Sequence, residues 1–410
     1  MNHYLYLNRF MTSFADYGLM FLIPLYVFQS TDSVQLAGLA FTLEYLVKVF
    51  FSPIAGLFID RYPLIKMLNW VNAMRAIVGL IVALSLWVLL SISDQVDALF
   101  LFSLVLVLSV FNGLGFSVNF MAQETLLTEL IPSKVFAKAQ AKIQSLEQMA
   151  LVSAPIVFSM ALNLMAFYQV LVFICLIFLL ASLSLILGTK GISTREPSDV
   201  NLTLKARLKA NLDVGRTYLV ESKPLQRIVL STFLLNLIYG TLLAIGAPAV
   251  IGYFDKDATS FASLQTAGAL SSIFVLILIV RISDKVTPTQ LGITAFIFVS
   301  MGGMISGFAN QFELFVLGAM LVLGFDGMFN VYIRTRRMEI IPRKDYGKAM
   351  GLLMVVNNTS KPLSGLIVFS LGHWFSVLEI LIIATLLASL LTFVLRLFYT
   401  GDETESVIKT

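Results

Sequence analysis

The residues able to do chemistry here are ionisable and amide side chains set inside long apolar runs. Arg9, Ser13 and Asp16 fall at i, i+4 and i+7, one face of a helix. Glu44 and Lys48 stand one turn apart and can pair. Gln140, Gln144, Glu147 and Gln148 form a polar stripe, and Asp326, Asn330 and Arg334 lie in line. Asn357, Asn358 and Lys361 make a further group, joined by Asn112 and Asn119, then Thr232, Asn236 and Tyr239. A carboxyl group in such a low-dielectric setting can exchange a proton near neutral pH. Asp16, Glu147 and Asp326, followed by Glu44, are therefore the candidates for carrying a proton. Asp16, Asn119, Asn236, Tyr239, Asp326, Asn330, Asn357, Asn358 and Lys361 are the candidates for lining a solute cavity. Glu44–Lys48 also reads as a neutralising pair, Asn112 as an interhelical hydrogen-bonding group, and Arg75 as the partner of a carboxylate on the second apolar run or of backbone on the cytoplasmic side.

Other chemistries are poorly supplied. The lone cysteine, Cys175, sits in an apolar run, and His3 and His373 are far apart. No disulfide framework, thiolate metal site or His cluster can be built from these. There is no G-x-x-x-x-G-K-[ST] loop and no visible nucleophile–base pair. The expectation is a protein that is not an enzyme, with no cofactor and no resident metal.

The elements that must position these groups are membrane helices. Of 410 residues, 58% are hydrophobic and only 13% charged, against about 25% charged in soluble domains. Mean hydropathy is +0.89. A spanning helix needs about 20 apolar residues, and lipid forces the backbone to satisfy its own hydrogen bonds. The runs predict twelve helices: 5–29, 34–58, 67–90, 98–123, 138–163, 167–188, 228–252, 261–281, 290–309, 312–334, 348–371 and 376–398. The first run, Tyr4 to Phe28, has no cleavage site after it and reads as a span.

Lys and Arg alternate between the loops. Even loops carry Arg61 and Lys66, Lys134 and Lys138, Arg281 and Lys285, and a cluster from Arg334 to Lys348. Odd loops carry none except Lys256, and the loop from Thr189 to Arg227 has eight. The positive-inside rule places both termini and this middle loop in the cytoplasm, across an inner membrane. The basic excess is thereby topological, and no nucleic-acid partner is expected.

The middle loop divides the chain into 1–188, a six-helix bundle; 189–227, a cytoplasmic linker; 228–398, a second bundle; and 399–410, a tail. Leu204, Leu208 and Leu212 share one face of a surface helix in the linker, which reads as lying against the inner leaflet. The halves echo each other. Ile131-Pro132-Ser133-Lys134 matches Ile341-Pro342-Arg343-Lys344, and Ile156-Val157-Phe158-Ser159 matches Ile367-Val368-Phe369-Ser370. Repeated six-helix units with a midplane site are a transporter architecture.

Gly56-Leu57-Phe58-Ile59-Asp60-Arg61, with Lys66 after it, resembles the G-x-L-a-D-R-x-G-R-K loop of the major facilitator superfamily. Pro63 replaces its second glycine and Leu64-Ile65 its basic pair. Ala150 to Pro155 resembles the antiporter motif of span five, with Ala150 and Ala154 in place of glycines. Leu130 to Val157 is similar to the branch of macrolide-efflux proteins and enterobactin-type siderophore exporters. The resemblance implies an all-α fold of two pseudo-symmetric six-helix bundles, with spans one, four, seven and ten around a cavity. It implies a cytoplasmic gate at Gly56, Asp60 and Arg61, with Asp284 and Lys285 as their echo. The expected function is proton-coupled export of a small polar solute, siderophore-like or drug-like, by a monomeric antiporter of the efflux and multidrug-resistance kind. Its partners would be the solute, protons and the lipid bilayer. The alternatives are an importer or metal-ion transporter of the same fold, and a non-transporting sensor or scaffold.

Overall fold

The computed structural model describes residues 2–59, 62–92, 97–130, 133–188, 204–282 and 285–398. Fourteen α-helices and no strand occur among them. The first six are α1 (Asn2–Thr31), α2 (Val34–Ile59), α3 (Leu64–Ile92), α4 (Ala98–Leu130), α5 (Ser133–Leu162) and α6 (Phe167–Gly188). The linker helix α7 (Leu204–Glu221) follows. The second set is α8 (Lys223–Ala247), α9 (Ala258–Ile282), α10 (Pro288–Gly307), α11 (Phe312–Ile340), α12 (Arg343–Asn358), α13 (Ser360–Leu371) and α14 (Val377–Val394). Twelve stretches of these helices are long and apolar enough to cross a membrane. The fold is all-α, with twelve spans.

The packing repeats with a six-span offset. In the first bundle α1 lies on α5 and α6, α2 on α4, and α3 on α4 and α6. In the second, α8 lies on α13 and α14, α9 on α11, and α10 on α11 and α14. The first spans of the two bundles also stop alike. The chain turns at Asp32 (φ 46°) after α1 and at Asp255 (φ 51°) after α8 and its π-turn. Aspartate tolerates this left-handed conformation better than most side chains.

Three features depart from the simple run of spans. Span eleven is not one helix but two, α12 and α13, interrupted at Thr359. Pro362 is the cause: it has no N–H for the Asn358 carbonyl, so one rung of the ladder is lost while Thr359 itself stays in the helical region. Span seven ends in a π-helical turn, Pro248–Tyr253, because Pro248 likewise removes a donor. The linker helix α7 docks on α12 rather than only skirting the bundle. Gly215 abuts Leu352 and Ala349, and the Tyr218 hydroxyl donates to Asp345 Oδ2 at 2.8 Å. This bond holds the Tyr218 phenol above its usual range.

The two bundles join at one end. Gln35 Nε2 donates to the Gly372 carbonyl at 2.9 Å, and Thr42 Oγ1 to that of Pro362 at 3.2 Å. Between them Gly38 faces Gly365 so closely that a Cβ on Gly365 would lie 2.5 Å from the Gly38 carbonyl oxygen. Across the other seam Ser159 Oγ meets Thr259 Oγ1 at 3.4 Å, Thr266 Oγ1 meets the Val152 carbonyl at 3.3 Å, and Phe21 stacks on Phe261. All these contacts lie toward the odd loops, whose one basic residue is Lys256.

Candidate functional site

In the first bundle the charges are closed into pairs. Arg9 on α1 forms an ion pair with Glu147 on α5 and donates to Gln123 Oε1 on α4. Gln123 in turn donates to Asn8 Oδ1 at 3.0 Å and Thr12 Oγ1 at 3.1 Å. Arg75 on α3 pairs with Asp16 on α1 and donates from Nε to Asn112 Oδ1 on α4 at 3.1 Å. The expectation that Arg75 serves a carboxylate of span two or backbone on the cytoplasmic side is thus corrected. Because α3 packs on α4 and α6, Arg75 is turned toward α1 instead. Gly115 leaves its room, since a Cβ there would come within 2.3 Å of Arg75 Cδ. Phe178 floors the guanidinium at 4.1 Å from its ring centre. Glu44 and Lys48 pair within α2 at 2.5 Å, and the ammonium lies 4.8 Å from the Tyr45 ring and 4.9 Å from that of Phe116.

Burial explains why these pairs are closed. Arg9 is 6% exposed, Arg75 3% and Glu44 4%. An isolated charge at that depth is expensive, whereas a paired and hydrogen-bonded one persists. Arg9, Asp16, Asn119 and Glu147 line one cavity of about 100 Å³ with Tyr17 and Gln123. Glu44 borders a smaller one of about 20 Å³ with Tyr45, Leu243 and Gln265, between the bundles.

The second bundle is arranged differently. Asn330 Nδ2 donates to Asp326 Oδ2 at 2.9 Å on α11. Lys361, near the start of α13, has its ammonium 5.4 Å from the Tyr239 ring and 5.5 Å from the Tyr45 ring. Asp326 and Lys361 act on each other electrostatically yet make no direct ion pair. Asn236 Nδ2 donates to the Asn357 carbonyl at 3.2 Å, tying α8 to α12. The Asn357 side chain is 2% exposed, and neither its oxygen nor its nitrogen has a partner. Asn358 donates back to the Met354 carbonyl within its own helix.

The cavity candidates therefore divide. Asp16 and Asn119 share the first-bundle cavity; Tyr239, Asp326 and Lys361 gather in the second bundle. Asp60, Arg61 and Asp284 lie outside the described residues, while Gly56 is in the last turn of α2 and Lys285 in an exposed turn after α9. Sequence reasoning passed over Gln123, Tyr17 and Tyr45. Gln123 stands one turn from Asn119, and Tyr45 three residues before Lys48, so helical spacing carried the signal for both. Among the described residues no three His, Cys, Asp or Glu side chains converge as a metal site would need.

The whole-chain architecture is shared with solved transporters. An inward-facing bacterial homologue of the iron transporter ferroportin superposes with a TM-score of 0.74 at 16% identity, covering 97% of this chain and 98% of that one. A nucleoside transporter gives 0.72 at 14% identity, with coverages of 96% and 100%. A POT family transporter bound to a thioalcohol-conjugated peptide gives 0.71 at 11% identity, with coverages of 97% and 95%. At these identities the likeness is one of fold. No curated relative matches the chain. The family model of the Major Facilitator Superfamily matches residues 5–333, and with that match and this architecture the chain belongs to the Major Facilitator Superfamily, as a multi-pass membrane transporter rather than an enzyme.

Proposed function

We propose that the chain is a proton-coupled exporter of a small polar organic solute, siderophore-like or drug-like, working as a monomeric antiporter in the inner membrane. One observation carries this reading: Asp16 and Glu147 line one cavity in partly buried positions, each held by an arginine from another helix. A neighbouring arginine favours the ionised carboxylate, so proton uptake at Asp16 or Glu147 would follow the parting of the pair as the helices rock. Asp326 and Glu44 are further carriers. The rocking bodies are 1–188 and 228–398, joined by 189–227 and followed by the tail 399–410. Export as the direction follows the resemblance to efflux proteins.

With the basic loops inside, the Gly38–Gly365 end is the outer end, and the structure is closed there. Gly56, Asp60, Arg61, Asp284 and Lys285 would then form the gate on the opposite, cytoplasmic side.

The test is transport in proteoliposomes with an imposed pH gradient, compared with gradient-free exchange. Asp326→Asn should lose uphill movement at least tenfold while keeping downhill exchange, Asp16→Asn should weaken solute binding, and Glu147→Gln should disturb bundle packing and leak ions. If all of them concentrate solute as wild type does, these carboxylates carry no coupling proton. Orientation is checked with single cysteines. Lys256→Cys should react with an impermeant thiol reagent from outside and Thr217→Cys should not; buried Cys175 leaves the background low.

A further inference from the structure

The first-bundle cavity holds more hydrogen-bonding groups than its own contacts use. Two of its residues are committed. Gln123 accepts from Arg9 and donates to Asn8 and Thr12, and the Thr12 hydroxyl turns back to the Asn8 carbonyl at 2.8 Å. Three others are not. Ser13 and Tyr17, one turn apart on α1, bring hydroxyls with no hydrogen-bond partner among the described residues. Asn119 lines the same cavity from α4. It is 3% exposed, and its amide oxygen has no partner either. An unpaired polar group at that depth carries a cost that a bound hydroxyl relieves.

The same walls disfavour a charged group. Arg9 and Glu147 cancel each other, and Asp16 is cancelled by Arg75, which stands outside the lining. An ion entering here finds no net countercharge, so its desolvation goes uncompensated. The apolar wall points the same way. The Phe116 and Phe120 rings lie nearly parallel, 12° between planes and 6.1 Å between centres. Lys48 already sits 4.9 Å from the Phe116 ring, and the Arg9 guanidinium 5.5 Å from that of Phe120. A further cation on these rings meets like charge. The walls suit an uncharged group that donates, accepts and brings C–H surface to two phenyl rings. Hydroxyls on a saturated ring do all three. A dry cavity of about 150 Å³ takes a whole benzene ring. One of about 100 Å³, open on one side, takes the edge of a six-membered ring.

We propose that this cavity binds the vicinal hydroxyls of a neutral, sugar-like ring of the solute. Ser13, Tyr17 and Asn119 hydrogen-bond those hydroxyls, the spare oxygens of Asp16 and Glu147 accept from them, and Phe116 and Phe120 carry the C–H face. This rests on the transporter reading above and names its solute class.

The experiment uses the purified full chain in lipid nanodiscs free of sugar detergent, with calorimetry and thermal melts. The neutral probes are the methyl glycosides of glucose, galactose and mannose, which span the diol orientations. Glucosamine and glucuronate are the cationic and anionic counterparts, at mildly acid pH where each is ionised. The best neutral glycoside should bind at least tenfold more tightly than either charged sugar. Asn119→Leu keeps the volume and should weaken that binding at least tenfold without lowering the melting midpoint, because the amide it removes is unpartnered. A residue that only shaped the bundle would lose binding and midpoint together. Tyr17→Phe should weaken binding several-fold. No binding of any glycoside, equal binding of the charged sugars, or unchanged affinity in both variants would overturn the proposal. Proteoliposomes separate this from the transport reading. pH-driven movement of a charged solute with no glycoside binding sinks the site and leaves the exporter. Glycoside binding with no pH-driven movement of any probe does the opposite.

Discussion

The two bundles share a packing scheme but spend their charges in opposite ways. In the first, every described buried carboxylate is locked to a cation, twice between helices and once within α2. In the second, Asp326 and Lys361 make no direct ion pair, and the Lys361 ammonium lies 5.4 Å from the Tyr239 ring. Closed buried pairs specify a packing arrangement, and their rupture is costly. The difference makes the first bundle the more dependent on its ion pairs for its shape.

The largest effect that tests this contrast is on stability. Arg75→Gln strips Asp16 of its buried cation, and breaking such a pair costs about 3–5 kcal/mol. The melting midpoint in detergent should fall sharply, and the double variant Arg75→Gln/Asp16→Asn should recover much of it. Lys361→Gln should leave the midpoint near wild type. Equal falls for both would erase the distinction between the bundles.

The seam between them comes next. A side chain at Gly365 has no room, since even a Cβ would lie 2.4 Å from Thr42 Oγ1 and 2.5 Å from the Gly38 carbonyl oxygen. Gly365→Val should prop this end open, cut transport at least tenfold and speed thiol labelling of a cysteine placed at Gln35. Both bundles should melt as before. Unchanged labelling would show that the glycine contact does not set closure.

A smaller effect concerns the linker. Tyr218→Phe removes the bond to Asp345, so hydrogen exchange in α7 should rise several-fold with transport little changed. A rise confined to the second bundle would sharpen the view that α7 travels with it.

The smallest compares two helix starts. α2 is capped by Ser33, whose hydroxyl accepts from the Leu36 N–H at 3.2 Å and does not titrate. α9 is capped by Asp257, which accepts from the Ser260 N–H and hydroxyl, each at 2.8 Å. The Ser260 backbone N–H, then its hydroxyl, holds the Asp257 carboxyl below the usual carboxylate range. A lowered folded value means the stabilisation is present above the ordinary range and lost as pH falls through the folded value. Exchange at the start of α9 should therefore increase in acid while that of α2 stays flat. Asp257→Asn should remove the pH dependence.

Much of this protein was legible before any coordinates. Apolar runs and alternating basic loops specify twelve spans, because lipid allows a spanning chain few alternatives. Helical spacing also placed Glu44 with Lys48 and Asp326 with Asn330, since residues one turn apart on a helix must be neighbours. Pairs between helices were beyond its reach. Arg75 found Asp16 rather than span two, because bundle order is not chain order and α3 packs on α4 and α6. Arg9–Glu147 joins residues 138 positions apart, and Lys361 with Tyr239 shares a space built from two separate helices. A sequence determines which charges enter the membrane. Which of them are satisfied there depends on helix rotation and crossing, and those are set only when the bundles close.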